Sequence, residues 1–100
     1  MAKWDTAVRT NKLLKPAAMK LALTGSKQSD SYGLGWQLYH DDGQLYGYGH
    51  DGNWEGFNTM YYNYLTGNHS VVLLSNRGHT IDLDKFWEKL SELIDTHAPE

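Results

Sequence analysis

His50, Asp51 and Glu55 are the side chains of this sequence whose types and spacing could do chemistry. A histidine beside carboxylates is the combination that general acid–base catalysis uses. All three lie in one stretch, Tyr48-Gly49-His50-Asp51-Gly52-Asn53-Trp54-Glu55-Gly56-Phe57. Glycine at this density weakens a strand, and it is tolerated where backbone bends or another group approaches closely. The structural alternative is a bulge and a tight turn at a sheet rim. Trp54, inside the glycine turn, is expected to be exposed. Trp36 and the tyrosines on strands read instead as cross-strand packing.

A metal site is the second chemistry to weigh, because His40-Asp41-Asp42 and His50-Asp51 have the look of ligand pairs. If Asp42-Gly43 is a hairpin turn, His40 faces Leu45 and His50 lies five residues further on. At about 3.3 Å per residue that is roughly 17 Å, too far to share an ion. The expectation is no metal and no cofactor.

The elements that must position this stretch are legible from pattern. Residues 3–13 and 16–22 predict two short helices, separated where Pro16 pushes Lys15 out of the helical region. Thr24 to Ser31 is a polar loop. Tyr32 to His40 alternates and reads as a strand, Asp42-Gly43 signals a two-residue hairpin, and Gln44 to Gly49 returns. Phe57 to Tyr64 is a third strand, turned by Thr66-Gly67-Asn68. Ser70-Val71-Val72-Leu73-Leu74 is the fourth, and its unbroken apolar run predicts a central strand buried on both faces.

The last element is an amphipathic helix with Leu83, Phe86, Trp87, Leu90, Leu93 and Ile94 on one stripe. Asp82 is placed to cap it and Pro99 follows its end. Phe86 and Trp87 are expected in the core. The fold class is α+β: a four-stranded antiparallel meander with a C-terminal helix on one face and short N-terminal helices. It reads as a single domain over 1–100, with helices in 1–24, sheet in 32–76 and the last helix in 82–97.

Composition narrows the function. One hundred residues can bury roughly 60–70% of the unfolded chain's surface. A net charge of −3 argues against a nucleic-acid partner. No apolar run is long enough for a membrane helix and no secretory leader opens the chain, so no membrane association is expected. With no cysteine there is no disulfide framework, and the redox compartment stays open.

One ordered set of motifs is more specific. Tyr32-Gly33-Leu34-Gly35-Trp36, Gly49-His50-Asp51-Gly52, Gly56-Phe57, Val71-Val72-Leu73-Leu74-Ser75-Asn76-Arg77 and the closing helix follow one another at compatible spacings. Together they resemble the C-terminal part of the serine β-lactamase and penicillin-binding-protein-like hydrolases, nearest to the class C and family VIII esterase branch. Ala2-Lys3-Trp4-Asp5 resembles a helix in the middle of such proteins. The family is commonly periplasmic or extracellular.

The resemblance implies roles. His50, Asp51 and Gly52 match the third active-site motif, Lys-Thr-Gly or His-x-Gly. His50 would supply a donor or positive charge near the substrate carboxylate and the general base. Asp51, Gly52 and Trp54 would line the substrate, which lies against the strand at Gly52. The backbone N–H of Asn53 would be one of two oxyanion-hole donors. Asp51 departs from the usual hydroxyl or small residue, and an acid there disfavours an anionic substrate.

The family's nucleophile sits in Ser-x-x-Lys, and no serine here has lysine three residues on. Thr24-Gly25-Ser26-Lys27 has the spacing but begins with threonine. Tyr61-Tyr62-Asn63 matches the second motif's Tyr-x-Asn as a string but falls after the third motif, inside a strand, and is taken as coincidence. The resemblance therefore implies a His-x-Gly wall without its nucleophile, inactive alone. The alternatives are a freestanding binding or assembly module on the same sheet, and an enzyme acting through His50, Asp51 and Glu55. The expected partner is a second copy joined through the strand at 70–75, or an N-terminal complementing segment.

Overall fold

The structure, a computed structural model, describes residues 1–65, 67, 69–78 and 82–97, with the side chain of Leu83 left out. Helix α1 is Ala2–Arg9 and α2 is Pro16–Ala22. Strands β1 Gln37–Asp41, β2 Gln44–Trp54, β3 Phe57–Tyr64 and β4 His69–Ser75 follow, then helix α3 Leu83–His97. The strands form one antiparallel sheet in the order β1-β2-β3-β4, the predicted meander.

Helix α1 stops four residues short of the expected end. Asn11 takes a left-handed φ of 56°. Lys12 N–H donates to the Ala7 carbonyl at 3.0 Å and Asn11 N–H to that of Val8 at 3.3 Å. This is the Schellman arrangement, with asparagine where glycine is commonest. Helix α2 begins where expected, because Lys15 is extended ahead of Pro16.

The first strand also starts later than its alternation suggested. Tyr32 to Trp36 is a tight loop closed by Gly33 N–H on the Trp36 carbonyl at 2.8 Å, with Gly35 at φ 79°. Leu34 N–H donates to the Ala22 carbonyl, so this loop is tied to the end of α2. A Cβ on Gly33 would lie 2.1 Å from that same carbonyl oxygen. Pattern cannot distinguish such a loop from a strand, because its aromatics alternate in both.

The hairpin at Asp42-Gly43 forms with both residues at positive φ, 50° and 79°. That is the twist a two-residue β-hairpin favours. Beyond it β2 runs on to Trp54, and Glu55-Gly56 turns into β3 with Gly56 at φ 78°. The glycine-rich stretch is thus a strand end plus a tight turn. A bulge does occur, but at Tyr39/His40 rather than among the glycines. Of the third turn, Gly67 is described, while Thr66 and Asn68 lie outside the described residues.

The two sheet faces are covered differently. On one, Val8 of α1 packs with Leu38 and Tyr48, joined by Met19, Leu23, Trp36 and Leu45. On the other, Trp87 of α3 sits 4.9 Å from Tyr62 and stacks at 6.4 Å on Tyr64, beside Tyr39 against Tyr62. Cross-strand packing of the tyrosines is therefore what the strands use. Asp82 caps α3, accepting from Lys85 N–H at 3.2 Å. Pro99 lies outside the described residues.

Two core assignments need correction. Phe86 is 45% exposed, and among the described side chains of its stripe Trp87, Leu90 and Ile94 are half-buried while Phe86 and Leu93 are exposed. A stripe of this width exceeds what one sheet edge can cover. Strand β4 is not central but an edge, and Leu74 is 71% exposed. Its apolar run reflects residues that alternate between covered and open sides.

Candidate functional site

Strand β2 changes character along its length. Gly47, Tyr48 and Gly49 are buried, whereas His50 to Trp54 are exposed. The register explains the change. Gln37, the first residue of β1, pairs with Gly49, so β1 flanks β2 only up to that point.

Backbone direction follows from one hydrogen bond. Leu65 N–H donates to the Tyr46 carbonyl at 3.0 Å, continuing the β2–β3 ladder. Bonded pairs recur at every second residue of an antiparallel ladder. Tyr48, His50, Gly52 and Trp54 therefore direct their backbone groups to β3, opposite Asn63, Tyr61, Thr59 and Phe57. Asp51 and Asn53 direct theirs the other way, to the edge that β1 no longer covers. The Asn53 N–H points out of the sheet.

Side chains on this segment divide by parity. His50, Gly52 and Trp54 share the face on which α1 and α2 lie, in a row about 13 Å long at about 3.3 Å per residue. Gly52 leaves that row open between its two rings. A Cβ there would meet only the Thr59 hydroxyl, at 2.8 Å, and that hydroxyl already donates to the Gly52 carbonyl at 3.2 Å. Trp54 is 78% exposed, as its place in the glycine turn suggested.

His50 is fixed at both ring nitrogens. Nδ1 lies 2.5 Å from the Asp51 carbonyl, and Nε2 lies 2.9 Å from the Tyr32 hydroxyl. A carbonyl only accepts, so Nδ1 carries a proton, and in the neutral ring Nε2 accepts from Tyr32. The two rings meet edge to face at 5.9 Å. Tyr32 was not among the residues singled out for chemistry. It stands eighteen positions from His50, and only the folding of the 32–36 loop brings them together.

Asp51 belongs to the other face. Its carboxylate accepts from Gln37 Nε2 at 2.8 Å, and Gln37 accepts from the Tyr39 hydroxyl at 2.9 Å. The acid is thus engaged away from the His50–Trp54 row, 3.9 Å from His50 Nδ1 at its nearer oxygen. Its charge acts on that row from behind the sheet. His40 pairs with Leu45, as the turn required, well removed from His50.

Beside His50 opens an apolar pocket of about 550 Å³ formed with Trp4, Leu13, Leu14, Leu34 and Trp36. His50 is its polar group at the strand, together with Tyr61. Beneath it lies a polar cluster. Asp5 of α1 accepts from the Tyr61 hydroxyl at 2.6 Å, from Asn63 Nδ2 at 3.1 Å and from Arg9 Nε at 2.9 Å. Asn63 is fully buried.

Burial pushes the Asp5 carboxyl up, but hydrogen bonds from Tyr61, Ser70 and Arg9 and the Arg9 charge outweigh it, and its pKa is lowered. Burial also raises Tyr61 far above its ordinary range, which keeps it a donor. The Tyr-x-Asn string therefore has a structural use: alternate residues of β3 face α1 together and dock it. Asp5 and Arg9 at i,i+4, with a tyrosine and an asparagine two apart on a strand, were the available signal.

Comparison with known proteins gives matches both to a family model and to solved structures. A family model described as Beta-lactamase matches residues 1–95. The fold is similar to the crystal structure of a penicillin binding protein from Bacillus halodurans, with a TM-score of 0.76 and 22% identity. That similarity covers 88% of this chain and 28% of the other. Comparison with curated proteins gives no match.

Proposed function

Because this chain belongs to the Beta-lactamase family, we propose that it supplies the sheet-side wall of a serine-hydrolase site without the nucleophile. Asn53 N–H is the oxyanion donor, Gly52 the flat floor, and His50 the polar group that meets the substrate. The observation that carries this reading is the uncovered edge of β2, where the Asn53 N–H points outward beside the His50–Gly52–Trp54 row. A donor fixed in a strand stabilises developing negative charge without reorganising. Trp54 and the apolar pocket favour an uncharged acyl group, and Asp51 adds negative charge nearby.

No serine of this sequence has the lysine that would activate it, so the chain alone should not be acylated. Intact mass after exposure to a penicillin or a fluorophosphonate should show no stoichiometric adduct, and an adduct would overturn the reading. Titration with an N-terminal segment of a relative that carries Ser-x-x-Lys should restore ester hydrolysis. That restored rate should fall on His50→Ala, and a rate indifferent to His50 would remove it from the site.

A further inference from the structure

Both ring nitrogens of His50 are engaged within the chain, Nδ1 with the Asp51 carbonyl and Nε2 with the Tyr32 hydroxyl. An imidazole has two hydrogen-bonding atoms and no more. His50 therefore has neither a donor nor an acceptor left for a bound molecule. Tyr32 does. Its hydroxyl carries one proton and two acceptor lone pairs, and with a neutral imidazole only the proton is used on Nε2.

The hydroxyl stands at the edge that carries the Asn53 N–H. The Asp51 carbonyl points to the edge of β2 that β1 leaves uncovered, and the bond to Nδ1 leans the imidazole toward it. Tyr32 follows on the far side of the ring. Asn53 directs its N–H out of the same edge, two residues or about 7 Å further along the strand. The loop that carries Tyr32 is tied at several points. Gly33 N–H donates to the Trp36 carbonyl, Leu34 N–H to that of Ala22 and Leu38 N–H to that of Ser31, while Tyr32 bridges Gln37. The hydroxyl is thus held before anything binds, which is what makes a polar group effective in a site.

We propose that Tyr32, and not an imidazole nitrogen, makes the hydrogen bond to substrate at this edge, and that the charge on His50 sets its polarity. With a neutral ring the O–H points to Nε2 and a lone pair faces outward, an acceptor for a hydroxyl or an amide N–H. With a protonated ring Nε2–H donates to the phenol oxygen, and the O–H turns outward as a donor for a carbonyl. Around the ring, Asp51 stands 3.9 Å from Nδ1, Tyr61 pairs with His50 from β3, and Asp5 and Arg9 of α1 lie beyond Tyr61. Burial keeps Tyr61 neutral and its partners keep Asp5 charged. Histidine is the residue type among these whose charge changes near neutral pH. This role of Tyr32 rests on the hydrolase reading and refines the part of His50 in it.

Tyr32→Phe removes the hydroxyl and keeps the ring that meets His50 edge to face at 5.9 Å. In the complex of the whole chain with a segment carrying Ser-x-x-Lys, ester hydrolysis should fall at least about tenfold in Y32F. Adding H50A should bring no further loss, because His50 acts through the missing hydroxyl. The pH dependence that His50 lends the rate should vanish in Y32F as well. A direct contact from Nε2 predicts the opposite. Freed of Tyr32, the imidazole would keep the rate or raise it, and that result would overturn the proposal. Nitrogen NMR of the chain alone reads the pair without any hydrolysis. The neutral His50 ring, identified by its loss in H50A, should carry its proton on Nδ1, and its Nε2 resonance should move in Y32F. A ring protonated on Nε2 would overturn the proposal whether or not hydrolysis is restored. An inactive complex with the pair intact would remove the hydrolase reading, and the substrate contact of Tyr32 with it.

Discussion

The two halves of β2 carry glycine for opposite reasons. In the buried half, a Cβ on Gly49 would lie 2.2 Å from the Tyr61 carbonyl oxygen and 3.0 Å from the Tyr62 Cα. Both obstacles are backbone of the neighbouring strand, so the residue is glycine because nothing else fits. In the exposed half, a Cβ on Gly52 would meet a single rotatable hydroxyl. There glycine keeps a surface clear beside His50. Identical residues on one strand thus mark close packing at one end and an approach path at the other. What separates them is how closely the β3 backbone approaches each one.

The largest expected effect tests that division. Gly49→Ala should destabilise by roughly 3 kcal/mol, since overpacking against backbone is relieved only by moving a strand. Gly52→Ala should cost under about 1 kcal/mol, because strand alanine is favoured over glycine and Thr59 can rotate. Urea denaturation of the two variants side by side gives the comparison, and equal losses would erase it.

Next comes the cluster that docks α1. Asp5→Ala should cost about 2–3 kcal/mol, because it strips a charged acceptor from the Tyr61 and Asn63 donors. The pH dependence has a definite sign. The folded pKa of Asp5 is lowered from 3.8, so its contribution is complete above the unfolded value and disappears as pH falls through the folded one. Denaturation midpoints should therefore drop below about pH 4 in the wild type. Asp5→Asn should lose less over the same interval, and parallel profiles would remove Asp5 as a cause.

Trp87→Ala should cost about 2 kcal/mol, less than a fully buried tryptophan, because the ring is only half-buried where it packs on Tyr62 and Tyr64. His50→Ala should be smallest, under about 1 kcal/mol by chemical denaturation, since an exposed rim residue contributes little packing. A large loss there would make the exposed half of β2 structural after all.

Much of the fold was legible. Asp42-Gly43 announced its hairpin, Phe57 to Tyr64 had the right bounds, and Asp82 marked the start of α3. Each is a local signal, set by turn chemistry, alternation or a cap. The errors have two causes. The helix expected through residue 13 ended at a left-handed Asn11, the strand expected from Tyr32 was a loop tied to α2, and Phe86 lost its place in the core. For the loop and for Phe86 a contact remote in sequence, or the lack of one, overrode a local preference, whereas α1 ended at a local cap that apolar spacing does not reveal.

The site divides the same way. Sequence by itself marked His50, Gly52 and Trp54 as one glycine-rich stretch at the end of a strand expected over Gln44 to Gly49, whereas the structure carries that strand on to Trp54 and so sets the three on one face. It also carried the family, through motifs whose order survives without coordinates. Tertiary structure alone decided that Tyr32 would bond to His50, that Asp51 would turn to Gln37 on the opposite face, and that Asp5 would anchor α1 through Tyr61 and Asn63. Those pairings join residues from fourteen to fifty-eight positions apart. Their geometry comes from strand register and helix docking, which no local pattern encodes.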